Sequence, residues 1–355
     1  MFFIVVYHFF IHGLMHQHTT PELGFFITAN SSLTEIVNFI IAQTLIVGVS
    51  TGVNLFVMIS GYFLICKKEF RTKSLIRLWI KVAFYSVSIA LLFLVVGKGS
   101  LIGTIMSLFP LSTNQYWFML PYFGLMLLAP FIARLICELG QRQYLTFLFF
   151  LFAINFIVPF GRIMGGGNLS WFVFLFCFAG YLKLYPIVIR NLKILLLLTI
   201  LVATIFFVLF PVIMSFAHDF QIDNSEPFYL QEPMYNGLCF FVSALIFISV
   251  ANSKLKTTKY ANLISIFSTS TLGVYLIHDN RLVRNLIWEQ LLDLSTYSSS
   301  LFIWVVLILV CTVIFGLTIA VDVVIERLFK FLKPEDLLYE NVYKPIKNRI
   351  NEFKI

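Results

Sequence analysis

His8 stands inside an apolar run, IVVYHFFIHG. An ionisable side chain in a membrane-spanning stretch is costly and is a functional candidate by default. Histidine is also the side chain best matched to taking a proton from a hydroxyl near neutral pH. The structural alternative is a neutral imidazole hydrogen-bonded inside a helix bundle. His12 and His16 follow at i+4 and i+8, so helical spacing puts the three near one face, with His18 close by. Paired histidines at i, i+4 can chelate a metal, but no carboxylate or Cys completes the set, so no metal is expected. His12, His16 and His18 are expected at the outer interface. A second histidine, His278, ends another apolar run and is followed at once by Asp279 and Asn280, then by Arg281 and Arg284. The alternative there is a helix end meeting water, with the arginines as interfacial anchors.

Residues 52–81 supply a different chemistry. An apolar run ends in Ser60-Gly61-Tyr62 and breaks into Lys67, Lys68, Arg71, Lys73, Arg77 and Lys81, opposed only by Glu69. Cationic loops are retained on the cytoplasmic side of a membrane, so this turn is a topology signal. It also places cations at the mouth of an embedded protein, where an anionic ligand can be held by charge-assisted hydrogen bonds. Trp117, beside Tyr116, opens a further apolar run at a depth where aromatic belts are common. Pro121 and Pro130 in that run predict kinks.

The elements that must position these residues are membrane helices. Of the 355 residues, 60% are hydrophobic and 12% charged, and mean hydropathy is +0.93. Apolar stretches long enough for a hydrocarbon core of roughly 30 Å recur throughout. They are continuous rather than alternating, which excludes a β-barrel. The expectation is an all-α, polytopic transmembrane helical bundle of about ten spans. These lie at about 1–15, 40–65, 78–97, 115–136, 144–160, 169–182, 193–214, 235–251, 264–280 and 300–325. Residues 1–326 form the membrane domain, and 327–355 a polar cytoplasmic tail. With the N-terminus cytoplasmic, 21 of the 25 Lys and Arg fall on the inner side, so both termini are expected in the cytoplasm. The stretches 16–35 and 215–234 contain acidic residues and histidines but no Lys or Arg, as outer loops do.

The net charge of +8 sits in short loops between spans, so topology explains it better than nucleic acid, and none is expected as a partner. The five cysteines form no C-x-x-C pair and read as packing residues. Gly165-Gly166-Gly167 has no phosphate-binding context, and no P-loop, G-x-S-x-G, H-E-x-x-H or dinucleotide fingerprint occurs. Met1 opens directly into an apolar run without a basic n-region or small-residue cleavage site, so a signal peptide is not expected. Residues 1–15 are short for a spanning helix, and the expectation is that the helix begins upstream of Met1.

FFIVVYHFFIHG (2–13), GVNLFVMISGYFLI (52–65), the turn with Lys73 and Arg77, YWFMLPYFGLMLLAPFI (116–132) and GVYLIHDNRLVR (273–284) together resemble the acyltransferase 3 family of membrane O-acyltransferases. The resemblance rests on the order and spacing of these segments over nearly the whole chain. It implies transfer of an acyl group, usually acetyl, from cytoplasmic acyl-CoA to a hydroxyl on an outer-face glycan. It further implies a multi-pass protein of the bacterial plasma membrane that meets lipid, acetyl-CoA and a glycan acceptor. The family's first-span His matches His8, implied as catalytic, as base or as acyl carrier. The late-span His matches His278. The family's paired basic residues, commonly both Arg, match Lys73 and Arg77, implied as CoA contacts; Lys keeps the charge but lacks the bidentate fork. Trp117, Asp279, Asn280 and Arg284 become candidate acceptor contacts. One departure stands out: the family's Arg, about three helical turns before the first-span His, would precede Met1. Three rivals remain: a polysaccharide flippase or other transporter, against which the lack of an internal repeat speaks; the same fold using another donor such as succinyl-CoA; and a glycan polymerase, against which outer loops of only about 20 residues speak.

Overall fold

The computed structural model describes residues 1–14, 32–156, 167–216, 237–253, 261–292, 294, 297 and 299–352. Among these residues the secondary structure is helical, as expected for an all-α membrane bundle. In chain order the helices are α1 (Phe2–His8), α2 (Leu33–Val49), α3 (Thr51–Leu64), α4 (Thr72–Val95), α5 (Leu101–Met106), α6 (Met119–Glu138) and α7 (Gln141–Phe156). They continue with α8 (Gly167–Leu184), α9 (Leu192–Phe216), α10 (Gly237–Ala251), α11 (Ala261–His278), α12 (Arg281–Asn285), α13 (Ile303–Leu332), α14 (Pro334–Leu338) and α15 (Lys344–Glu352). Within the described residues each expected span overlaps a helix. Among the described residues, five segments are long and apolar enough to cross a membrane: 33–64, α4, α6, the start of α9, and α13. His16, His18, the acidic stretch 217–234, Arg162 and Gly165-Gly166 lie outside the described residues.

Local chemistry sets several boundaries. Ser32 and Glu35 form a reciprocal cap at the start of α2: Ser32 N–H donates to Glu35 Oε2 at 2.7 Å and Glu35 N–H to Ser32 Oγ at 3.3 Å. At the end of α13, Lys333 turns into the left-handed region at φ +45°, and Pro334, lacking an N–H, starts α14 instead. α13 thus runs to Leu332, past the expected tail boundary at 326, and the described residues 334–352 beyond it are helical. One expectation is corrected. Pro121 lies in the first turn of α6, where its missing N–H has no intrahelical acceptor to lose, so it breaks nothing. Pro130 is interior, and the helix continues through it.

The chain divides into two compact units. The first comprises 1–66, 132–256 and 285–313. There α3 and α8 cross at two glycines: a Cβ on Gly61 would collide with the Phe176 backbone, and one on Gly180 would sit 2.5 Å from Ile65 Cγ1. Small residues at such crossings let membrane helices approach closely, since dispersion rather than water exclusion holds them. At the other end of α3, a Cβ on Gly52 would meet Ile4 Cγ1 at 3.1 Å, so α1 lies tight against it. Buried polar side chains join further helices. Trp171 Nε1 donates to Asn54 Oδ1 at 3.0 Å, and Asn54 Nδ2 to Ser243 Oγ at 3.2 Å. Trp304 Nε1 donates to Asn38 Oδ1 at 2.9 Å. α9 packs by Ala203 and Phe207 against Val47, Cys239 and Val242.

The second unit comprises 67–131, 257–284 and 314–355, with α4, α5, the N-terminal part of α6, α11 and the C-terminal part of α13. Leu195, Leu198, Leu201 and Leu209 in the first unit, and Leu317 and Val324 in the second, are exposed along spanning helices. In a chain this apolar they are the lipid-facing surface.

The α3–α8 crossing predicts a size limit. Gly61→Leu should lower stability by about 1–3 kcal/mol or more, because the displaced atoms are backbone. Thermal unfolding of the detergent-purified protein reads this. Gly48→Ala is the control, since a Cβ there meets nothing within 4 Å.

Candidate active site

His8 is the last residue of α1 and is 1% exposed. A π-helical turn, Phe9–Leu14, begins immediately after it. Such turns are rare and frequent at functional sites, because the extra residue re-aims neighbouring side chains. The turn brings His12 beside His8, edge-on with ring centroids 4.9 Å apart. His12 is therefore half-buried against the candidate base rather than fully at an interface. Tyr7, Phe9 and Phe10 are buried on either side. Trp288 packs on Phe9 at 5.8 Å, and a Cβ on Gly13 would lie 3.0 Å from Trp288 Cε3 and 2.6 Å from Leu294 Cδ1. Cys311, on the first half of α13, reaches the Val5 carbonyl at 4.0 Å. His8 thus sits in a dry, close-packed wall, where a proton-transfer group is shielded from bulk water.

His278, Asp279 and Asn280 are also buried, in the second unit. His278 Nδ1 lies 2.6 Å from the Val274 carbonyl. A carbonyl only accepts, so Nδ1 carries the proton and the neutral ring presents Nε2 as its basic nitrogen. Asn280 serves the fold. Its Oδ1 accepts from Leu282 N–H at 3.1 Å, capping α12, while Nδ2 donates to Tyr116 Oη at 3.0 Å. Tyr116 in turn donates to the Leu276 carbonyl at 3.0 Å, which ties the start of α6 to the end of α11. Trp117, the next residue, is half-buried with its ring 5.9 Å from Phe118. Arg284 Nη1 lies 3.6 Å from Asp279 Oδ1. The candidate acceptor residues of this unit therefore gather at one helix junction.

Lys73 and Arg77 lie on one face of α4, and Lys81 extends the stripe by one more turn. This ladder meets acidic residues of α13 and α14. Lys73 Nζ pairs with Asp336 Oδ1 at 2.9 Å. Arg77 pairs through Nη2 with Glu326 at 2.9 Å and through Nη1 with Glu335 at 3.1 Å. Lys81, 5% exposed, pairs with Glu326 at 2.6 Å and with Asp322 at 2.9 Å. Tyr85 Oη donates to the same Asp322 oxygen. Asp322 occupies the space beside Gly273, where any Cβ would collide with its carboxylate. The ladder thus reaches α11 less than two turns before His278.

Lys81, Asp322, Glu326, Glu335 and Asp336 are not legible as single motifs. Their signal was i, i+4 spacing of opposite signs: 73, 77 and 81 against 322 and 326. Read as topology charges alone, the basic residues hide their partners.

Removing one member of a buried pair leaves an uncompensated charge, at a cost of about 3–5 kcal/mol. Lys81→Met should therefore lower the melting temperature in detergent sharply. Lys81→Met combined with Asp322→Leu should recover part of the loss, because Glu326 keeps Arg77.

The acyltransferase domain family model matches residues 1–321 of the chain. No curated protein and no solved structure matches it. The match spans the helices that carry His8, the basic stripe and His278, and on it the chain belongs to the acyltransferase 3 family, a membrane acyltransferase.

Proposed function

We propose that this acyltransferase moves an acetyl group from cytoplasmic acetyl-CoA to a hydroxyl of an extracellular or lipid-linked polysaccharide at the bacterial plasma membrane. The observation that carries the reading is the pairing, within one family-matched chain, of a buried membrane histidine with a half-exposed basic stripe. The stripe fits the donor. Lys73 and Arg77 keep 51% and 36% side-chain exposure, so a phosphate approaching from water can reach both. Guanidinium accepts phosphate as a two-pronged fork and ammonium as a point charge. Lys81 is too deeply buried for that role and braces the helix instead.

In the transfer, the acceptor oxygen, or first the His8 nitrogen, bonds to the acetyl carbon as the carbon–sulfur bond breaks. The thiolate leaves on CoA, and His8 either takes the hydroxyl proton directly or carries the acetyl group and passes it on in a second step, in which the ester C–O bond forms, the acetyl–nitrogen bond breaks and the hydroxyl proton goes to the released imidazole nitrogen. His278, with Nε2 as its basic nitrogen, orients the acceptor. Trp117, Asp279 and Arg284 line its approach, and Asn280 holds their helix junction.

His8→Ala should lower polysaccharide O-acetyl signals in NMR spectra by about a hundredfold or more. Undiminished acetylation would sink the reading. Arg77→Ala should raise KM for acetyl-CoA by about tenfold with a smaller change in kcat, since it removes ground-state binding.

A further inference from the structure

The carboxylates on the basic stripe are of two kinds. Glu326 is fixed: it stands on the long helix α13 and shares the buried Lys81. Glu335 and Asp336 stand on α14, a segment with no buried residue, set off from α13 by the left-handed Lys333 and by Pro334. Among its apolar residues Leu337 is 60% exposed, while Pro334 and Leu338 are half-buried. Its described attachments to α4 are Asp336 on Lys73, Glu335 on Arg77, and, just beyond it, the Tyr339 ring 4.9 Å from Lys73 Nζ. It opens a helical run that continues through 339–352 and is joined to α13 through Lys333. The Lys73–Asp336 pair is about half exposed, so it is weak and screened by salt, whereas Arg77–Glu335 is part-buried, with the Glu335 side chain 13% exposed.

We propose that Pro334–Leu338 is an internal, displaceable occupant of the donor site, whose two carboxylates hold the positions that acyl-CoA phosphates take. The inference rests on the reading of Lys73 and Arg77 as donor contacts. With the tail docked, both cations are neutralised and the site is closed to weak anions. A phosphate carries more charge than a carboxylate and takes the Arg fork bidentately, so it displaces the tail. Glu326 keeps Arg77 oriented throughout, because its own partner Lys81 is untouched by the exchange. The tail thereby sets a threshold on donor concentration: its release costs part of the binding free energy of every incoming acyl-CoA.

The test uses full-length protein in detergent with CoA as the probe. Backbone hydrogen exchange across 334–343 should rise on saturation with CoA, and also in about 0.5 M salt without CoA. Glu335→Gln with Asp336→Asn should show the raised exchange without CoA. It should also bind CoA about fivefold tighter or more by calorimetry, the effect of removing one exposed and one part-buried ion pair. If CoA binds, Arg77→Ala weakens it, and yet exchange and the double-variant affinity stay unchanged, the tail is a strut and the proposal falls while the donor reading stands. If Arg77→Ala leaves CoA affinity unchanged, the donor reading itself fails and takes the proposal with it. Should the double variant not fold, wild-type exchange with and without CoA decides alone.

Discussion

A lysine and an aspartate buried together in apolar helices organise the second unit. Lys81 and Asp322 are both nearly inaccessible, and neither charge is tolerable there without the other. Their contact fixes α13 against α4. Gly273 then lets α11 close onto the same carboxylate, so the helix ending in His278 is set by the ion pair as well. Glu326, one turn along, extends the pairing to Arg77 and so carries the order of the interior outward to water. The ladder grades from dry to wet. Its inner rung is fixed by the cost of desolvation, and its outer rung, Lys73 with Asp336, is about half exposed.

The first unit solves a different problem: holding a histidine rigidly where water is scarce. It does so by shape. Gly52, Gly61 and Gly180 remove the side chains that would keep α1, α3 and α8 apart, and Gly13 lets Trp288 and Leu294 close over the turn beside His8. The π-helical turn after His8 is compatible with this packing because the wall is made of aromatic rings rather than of regular ridges and grooves. Hydrogen bonds between Asn38, Asn54 and the indoles of Trp304 and Trp171 add direction that dispersion alone lacks.

Two motifs therefore carry more structure than chemistry. The run 52–65 supplies glycines for helix crossings, and in the run 273–284 Asn280 works as a helix cap and a tyrosine partner. Membrane packing demands small residues where helices cross, so these segments carry shape as well as candidate chemistry. His8 and the end of α11 are the places where shape and reactive groups coincide.

By itself the sequence determined the all-helical membrane class and the family, because hydrocarbon thickness and backbone hydrogen bonding write the class into local composition. It also singled out His8, His278, Lys73 and Arg77, since charge within apolar runs is conspicuous. The tertiary structure decided which of those groups are engaged. That Lys81 is a buried brace and not a topology charge, that Pro121 is harmless, that His12 turns in beside His8, and that the tail's carboxylates sit on the basic stripe all depend on residues distant in the chain. Lys73 and Asp336 are separated by 263 residues, and no local pattern encodes which of several cations an acid will meet. That choice belongs to the packing of the helices, where the cost of burying an unpaired charge selects the partner.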